Sequence, residues 1–312
     1  MNRALNQFSA LALCALLAAC GGGSGSGSDA NGNTSSPGAT KSSFTLRLTD
    51  APVDDVAAVE MRFIEARVRR DDGTWINFPF DSPKTIDLLK LQGLLTADLL
   101  VDIPLGVGHY DEIRLLVDDA PMSSNIRLHD GTFVELDVPS GRSSGLTVKG
   151  DFMILKARPT TVVVDFDLRK SIKRSGNSGK YNFRPALRLV DDANAGHLLG
   201  IVTIDRLFST PACSDSDVDT FNAVYVYEGH DVIPDDINQS STTDVEPITT
   251  TVIKFDARTL KYKYEAAYLP EGDYTIAITC NANLDDLDSG ADDLKFFGIR
   301  NVSVEVGNTL FL

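Results

Sequence analysis

The chain has 312 residues, is 43% hydrophobic and 23% charged, and carries a formal net charge of −15, which leaves room for two cores at roughly 100 to 200 residues per domain. So acidic a surface repels phosphate backbones, and no nucleic-acid partner is expected. The richest basic stretch, Arg169-Lys-Ser-Ile-Lys-Arg174 with Lys180 nearby, reads as a solvated hairpin.

Residues 1–19 read as a secretory leader: Arg3 supplies a positive start, 8–18 an apolar stretch, and small residues precede Cys20. That stretch is too short to span a bilayer, which takes about 20 residues. The junction Leu17-Ala18-Ala19-Cys20 resembles the lipobox of bacterial lipoproteins. The resemblance implies lipidation of Cys20 on its thiol and amine, so that the chain meets the membrane through an N-terminal lipid; an ordinary signal peptide with an incidental cysteine is the alternative. Gly21 in second place, rather than aspartate, points to the outer membrane of a Gram-negative cell. Residues 20–43 hold the acylated cysteine and a Gly/Ser-rich tether with little to bury, reaching roughly 25 to 30 Å. With Cys14 lost in the leader and Cys20 acylated, Cys213 and Cys280 are left in an oxidising compartment and are expected to pair. A loop of about 68 residues closed in this way gains on the order of 4 kcal/mol. Two buried thiols are the alternative.

From Phe44 the pattern is β. Asp72-Gly73 and Asp130-Gly131 each separate two strand-like runs, the signature of a hairpin. Across 59–68 the apolar set runs 59, 61, 63 and then 64, 66, 68, which predicts a bulge near Phe63 or Ile64. Further strands are expected over 110–117, 146–154, 161–166 and 181–190, and one short helix over 87–100, where Leu88, Leu91, Leu95 and Leu99 recur at helical spacing. Asp191-Asp-Ala-Asn-Ala-Gly196 is turn-rich and marks a domain junction. Beyond it, strands are expected over 198–207, 223–227, 249–255, 261–268, 273–279, 294–299 and 302–312, the even positions of 261–268 facing a core. The fold class is therefore all-β, two β-sandwich domains in tandem over 44–192 and 197–312.

Leu48-Thr-Asp-Ala-Pro-Val-Asp-Asp-Val-Ala-Ala-Val-Glu60, Thr85-Ile-Asp-Leu-Leu89, Ile103-Pro-Leu-Gly with Tyr110-Asp-Glu-Ile-Arg-Leu115, Val164-Asp-Phe-Asp-Leu168 and Arg184-Pro-Ala-Leu-Arg-Leu189 occur in this order. Residues 44–190 thereby resemble the bacterial lipoprotein family of domain of unknown function 4382, a resemblance that implies no activity. Leu269-Pro-Glu-Gly-Asp-Tyr-Thr-Ile-Ala-Ile278 is similar to transthyretin-like, carboxypeptidase-regulatory-type modules and has an echo at 103–115. Both read as a turn feeding a core strand.

Catalytic signals are sparse. Gly141-Arg-Ser-Ser-Gly145 matches the nucleophile-elbow string, but the residues after Ser143 are strand-like, not helical. His109, His129, His197 and His230 lack ligand spacing and read as surface or turn residues. Asp165 and Asp167 could pose as paired carboxylates, but a structural role is preferred. The densest acids come after the two late cysteines: Asp215, Asp217 and Asp219, then Asp285, Asp286, Asp288 and Asp292. They read first as solvated acidic loops; calcium held by these residues is the alternative, although the closing acid and helices of an EF-hand are missing. No catalytic residue is assigned and no cofactor is required. The expected function is a non-enzymatic binding module for a protein or glycan, with an assembly lipoprotein as the alternative and a calcium-dependent glycan binder or hydrolase behind it.

Overall fold

β-Strands, some alternating and some buried on both faces, build most of the structure, a computed structural model that describes residues 41–51, 53, 56–175, 179–209, 221–238, 245–289 and 292–312. Cys20 with its leader and tether, Cys213, Asp215, Asp217 and Asp219 lie outside the described residues. No helix among the described residues is long and apolar enough to cross a membrane.

The first sandwich packs two sheets. One has the order β12 (Leu187–Asp191), β9 (Thr160–Asp167), β1 (Lys41–Ala51), β4 (Ala97–Gly106), with β1 and β9 parallel. The other centres on β2 (Ala58–Arg70), flanked by β3 (Trp75–Asp87) and β5 (Gly108–Val117), with β8 (Leu146–Ile154) beside β5. It continues through β6 (Asn125–Arg127), β7 (Phe133–Asp137), β11 (Tyr181–Phe183) and β10 (Ile172–Arg174). Phe44, Leu46 and Leu48 from one sheet meet Val59, Met61, Phe63, Tyr110 and Ile113 from the other. Each such buried side chain contributes about 1.5 to 3 kcal/mol.

The second sandwich pairs β16 (Lys254–Asp256), β17 (Lys261–Pro270), β13 (Ala195–Val202) and β20 (Thr309–Phe311) against β15 (Thr249–Val252), β14 (Ala223–Glu228), β18 (Gly272–Thr279) and β19 (Phe297–Val304). The alternation over 261–268 holds, with Tyr262, Tyr264 and Ala266 in the core. On the far side of β14, Tyr225 and Tyr227 pack with Ile237 and Leu287 from the loops after β14 and β18. A single 3-10 turn, Asp192–Asn194, joins β12 to β13. Val163, Val190, Ala195 and Tyr268 then form a small apolar cluster between the sandwiches.

The two Asp-Gly hairpins form as expected. Each is a three-residue loop whose glycine stands at φ +85°, closed by Arg70 N to Thr74 O at 2.9 Å and Leu128 N to Thr132 O at 2.8 Å. Only the last loop residue needs the left-handed region, the geometry of a type I turn with a bulge. The register slip falls between Phe63 and Glu65 against both β3 and β5. The Pro-x-Gly echo marks two tyrosine corners: Tyr110 Oη donates to Gly106 O and Tyr274 Oη to Pro270 O, both at 2.7 Å.

Other expectations are corrected. β1 begins at Lys41 rather than Phe44, because Lys41, Ser42 and Ser43 pair with Gly106, Leu105 and Pro104. The helix over 87–100 is replaced by one 3-10 turn, Leu88–Lys90, and then β4. Asp50 N and Thr49 Oγ1 both bond Leu91 O at 3.0 Å, taking a carbonyl a helix would need, and Gly93 turns left-handed at φ +63°. Leu88, Leu91 and Leu99 are still buried, while Leu95 is 61% exposed. The strand over 181–190 splits at Pro185, which has no N–H for a ladder. The strand over 198–207 stops at Val202 and gives way to helix α2 (Ile204–Ser209).

Candidate functional site

Sequence spacing directs attention to the acidic end of the second sandwich, and the folded chain selects among its carboxylates. Asp236, Asp285 and Asp292 bring carboxylate oxygens within 4.8 Å of one another. Asp285 Oδ1 accepts from Ile237 N at 3.0 Å and Oδ2 from Tyr225 Oη. Asp236 Oδ2 accepts from Asp292 N at 2.9 Å, and Asp292 Oδ2 from Asp286 N at 2.6 Å. Burial pushes the Asp285 carboxyl up to about 6, against the pull of the Tyr225 hydroxyl and the Arg169 guanidinium. Burial also raises Asp236, and it raises Tyr225 well above the usual phenol value.

The expected calcium set is thus divided. Asp285 and Asp292 join the cluster; Asp286 instead accepts from Asp288 N at 3.1 Å as a local turn. Asp288 turns away and pairs with Lys173 and, at 3.5 Å, with Arg184. Asp236 is the member that spacing missed, because it arrives from the loop after β14 and meets the others only through folding. The sole hint in the sequence is the turn-forming Pro234-Asp235-Asp236. Four of the cluster's six carboxylate oxygens accept hydrogen bonds from the chain itself.

The basic stretch 169–174 forms the expected hairpin in part, Ile172–Arg174 pairing antiparallel with Tyr181–Phe183, but Arg169 is buried and Lys170 half-buried rather than solvated. Helix α1 (Leu168–Ser171), capped by Asp167 accepting from Lys170 N at 3.1 Å, drives it into the second sandwich. Arg169 is 8% exposed and donates from Nη1 to Ala282 O at 3.0 Å. Lys170 Nζ donates to Pro247 O, and Lys173 supplies the cation for Asp288. The net negative charge of the second sandwich is therefore met in part by cations of the first. Asp165 serves the same joint: Arg188 Nε donates to its Oδ2 at 3.0 Å, while Arg188 Nη1 reaches Tyr268 O at 3.4 Å.

The remaining candidates fall in structural positions. Ser143 lies in an exposed turn before β8, its Oγ donating to Ser140 O at 3.4 Å. His109 contacts Asp151 at 3.1 Å and His230 contacts Val302 O at 3.2 Å. His197 is on a strand, not a turn; its Nδ1 accepts from Tyr268 N at 3.1 Å. Cys280 is buried just past β18.

Residues 41–185 match the family described as domain of unknown function (DUF4382). No curated protein matches the chain. Among solved structures, the minor pilin GBS52 of Streptococcus agalactiae is 10% identical, over 86% of this chain and 94% of that one, with a TM-score of 0.18. A fimbrial protein of Bacteroides ovatus is 11% identical, over 88% and 48% respectively, with a TM-score of 0.19. A leucine-rich repeat protein of Bacteroides thetaiotaomicron is 9% identical, over 87% of this chain and 26% of that one, with a TM-score of 0.21. The chain thus spans about a quarter of one of these relatives and under half of another. Likeness at this level leaves the fold class to the sheets themselves.

Proposed function

We propose that the chain is a lipid-anchored protein of the bacterial envelope, held through Cys20 in the outer membrane, whose paired sandwiches bind a protein or glycan without catalysis. The observation that carries this is the juxtaposition of Leu17-Ala18-Ala19-Cys20 with a Gly/Ser run that leads to β1 at Lys41. Support for binding over catalysis comes from three acids that are engaged in structural bonds: Asp165 with Arg188, Asp167 with the α1 amide, Asp285 with Tyr225 and Ile237. The Cys213–Cys280 pairing belongs to the same reading, since it suits an oxidising compartment.

Mass spectrometry of the mature N-terminus tests the anchor. A diacylated or triacylated Cys20 is expected, and C20S is expected to leave the membrane fraction; an unmodified terminus elsewhere overturns the assignment. A pull-down of the acylated protein from its own envelope, run beside retention on envelope polysaccharide, tests binding. A second reading, assembly with another envelope protein, is favoured by Phe311, 75% exposed on β20 and paired in register with Leu199, on the same strand face as exposed Ile201. Loss of crosslinks in F311A would select it.

A further inference from the structure

Between the sandwiches lies a buried carboxylate that only the Leu168 amide and a distant Lys254 favour in its charged form. Asp50, near the end of β1, is 4% exposed, and neither side-chain oxygen has a hydrogen-bond partner. Thr250 on β15 is 1% exposed, and its hydroxyl is equally unpartnered. Both residues line one small hollow with Asp165, Glu265 and Tyr268. Its free space of about 10 Å³ is about that of one water molecule. A second buried oxygen without a hydrogen-bond partner, Asp167 Oδ2, 3.9 Å from Lys170 Nζ, belongs to the residue paired in register with Ala51.

The charges around Asp50 are of mostly one sign. Asp165 and Asp167 face it from β9, and Glu265 from β17 across the hollow. On the positive side, Lys254 of β16 acts on Asp50 from a distance while donating to Gln92, Arg188 is engaged by Asp165, and the Lys170 ammonium donates to Pro247 O and stands 3.9 Å from Asp167 Oδ2. An ionised carboxylate in such a place costs several kcal/mol unless paired, and a group so placed ordinarily keeps its proton.

We propose that Asp50 is a proton-operated latch: as a neutral acid it lets the end of β1 seat against β15 and β17 of the second sandwich, and its ionisation loosens that seat. The neutral acid also gains an O–H donor, with a water in the hollow as acceptor. Burial, and then the charges of Asp165 and Asp167, hold the Asp50 carboxyl well above its ordinary value, against the weaker pull of the Leu168 amide and Lys254. A folded-state value raised in this way gives stability that is fully present below the unfolded value of about 3.9 and is lost as pH rises through the folded one.

The test uses the full-length protein. The carboxyl carbon of Asp50, assigned by NMR through the Thr49-Asp50-Ala51 backbone, is expected to titrate well above about pH 4. Asn is the uncharged isostere, so D50N is expected to match the wild type in Tm at acid pH and to exceed it by several degrees at alkaline pH. Exchange of the Thr250 and Thr251 amides, corrected for intrinsic pH dependence, is expected to speed with pH in the wild type and not in D50N. An Asp50 carboxyl that titrates in the ordinary range overturns the latch, with or without a folded D50N. So does a Tm difference that stays constant with pH.

Discussion

Arg169 of the first sandwich donates from Nη1 to the carbonyl of Ala282 in the second, 113 residues away in sequence, at 3.0 Å. Both groups are buried, so cutting the side chain back leaves an orphaned acceptor and removes a cation from beside Asp285 and Tyr225. Arg169→Ala should cost about 2 to 4 kcal/mol. Urea unfolding followed by tryptophan fluorescence and by circular dichroism should show coincident transitions in the wild type and separated ones in the variant, because the only tryptophan, Trp75, reports on the first sandwich. Coincident transitions in both would mean that Arg169 does not couple the sandwiches.

Gly93 tests the same joint from the other side. A Cβ there would stand 2.4 Å from Glu265 Oε2 and 2.8 Å from Glu265 Cβ, and the residue already sits at φ +63°. Gly93→Ala should cost about 2 to 4 kcal/mol by adding left-handed strain to a clash. Glu265→Ala should not rescue it, since the Cβ remains. Full rescue in the double variant would place the cost in the flexible carboxylate alone.

The two tyrosine corners should behave alike. Tyr110→Phe and Tyr274→Phe each remove one O–H donor from a backbone carbonyl and should cost about 0.5 to 1.5 kcal/mol apiece. The corners lie in separate cores, so the double variant should lose the sum. Thermal and urea melts of the three variants check this, and a cost near zero would make the corners ornaments of the turn.

Asp285 predicts a pH dependence of its own. Its carboxyl moves from 3.8 to about 6 on folding, so the folded state binds the proton more tightly. The stability gained is fully present below about 3.9 and lost as pH rises through about 6. Relative to Asp285→Asn, the wild type should therefore lose Tm across that window and level off above it. A flat difference curve would show that folding does not raise the Asp285 carboxyl.

Much of the fold was legible from local chemistry. Alternation at Tyr262, Tyr264 and Ala266, the Asp-Gly loops and the slip at Phe63 each depend on near neighbours in the chain, and each appears where its residues dictate. Leu88, Leu91 and Leu99 are core residues in a different element from the helix their spacing predicts, because the Leu91 carbonyl is claimed by β1 from some forty positions upstream. Asp285 and Asp292 were legible as acids worth noting; Asp236 was not, because its loop has no spacing relation to theirs.

The sequence by itself determined the class of the protein: an all-β chain, with a lipobox-like junction and a Gly/Ser-rich run ahead of it in the sequence. Those properties are set by side-chain period and composition, which act over a few residues. The tertiary structure alone decided what the charges do. It placed Arg169, Lys170 and Lys173 against the acidic loops, turned Asp288 toward a cation of the other sandwich, and left Asp50 buried between them. Charge in a string has only a sum; partners and burial, which set its energy, exist once distant strands are packed.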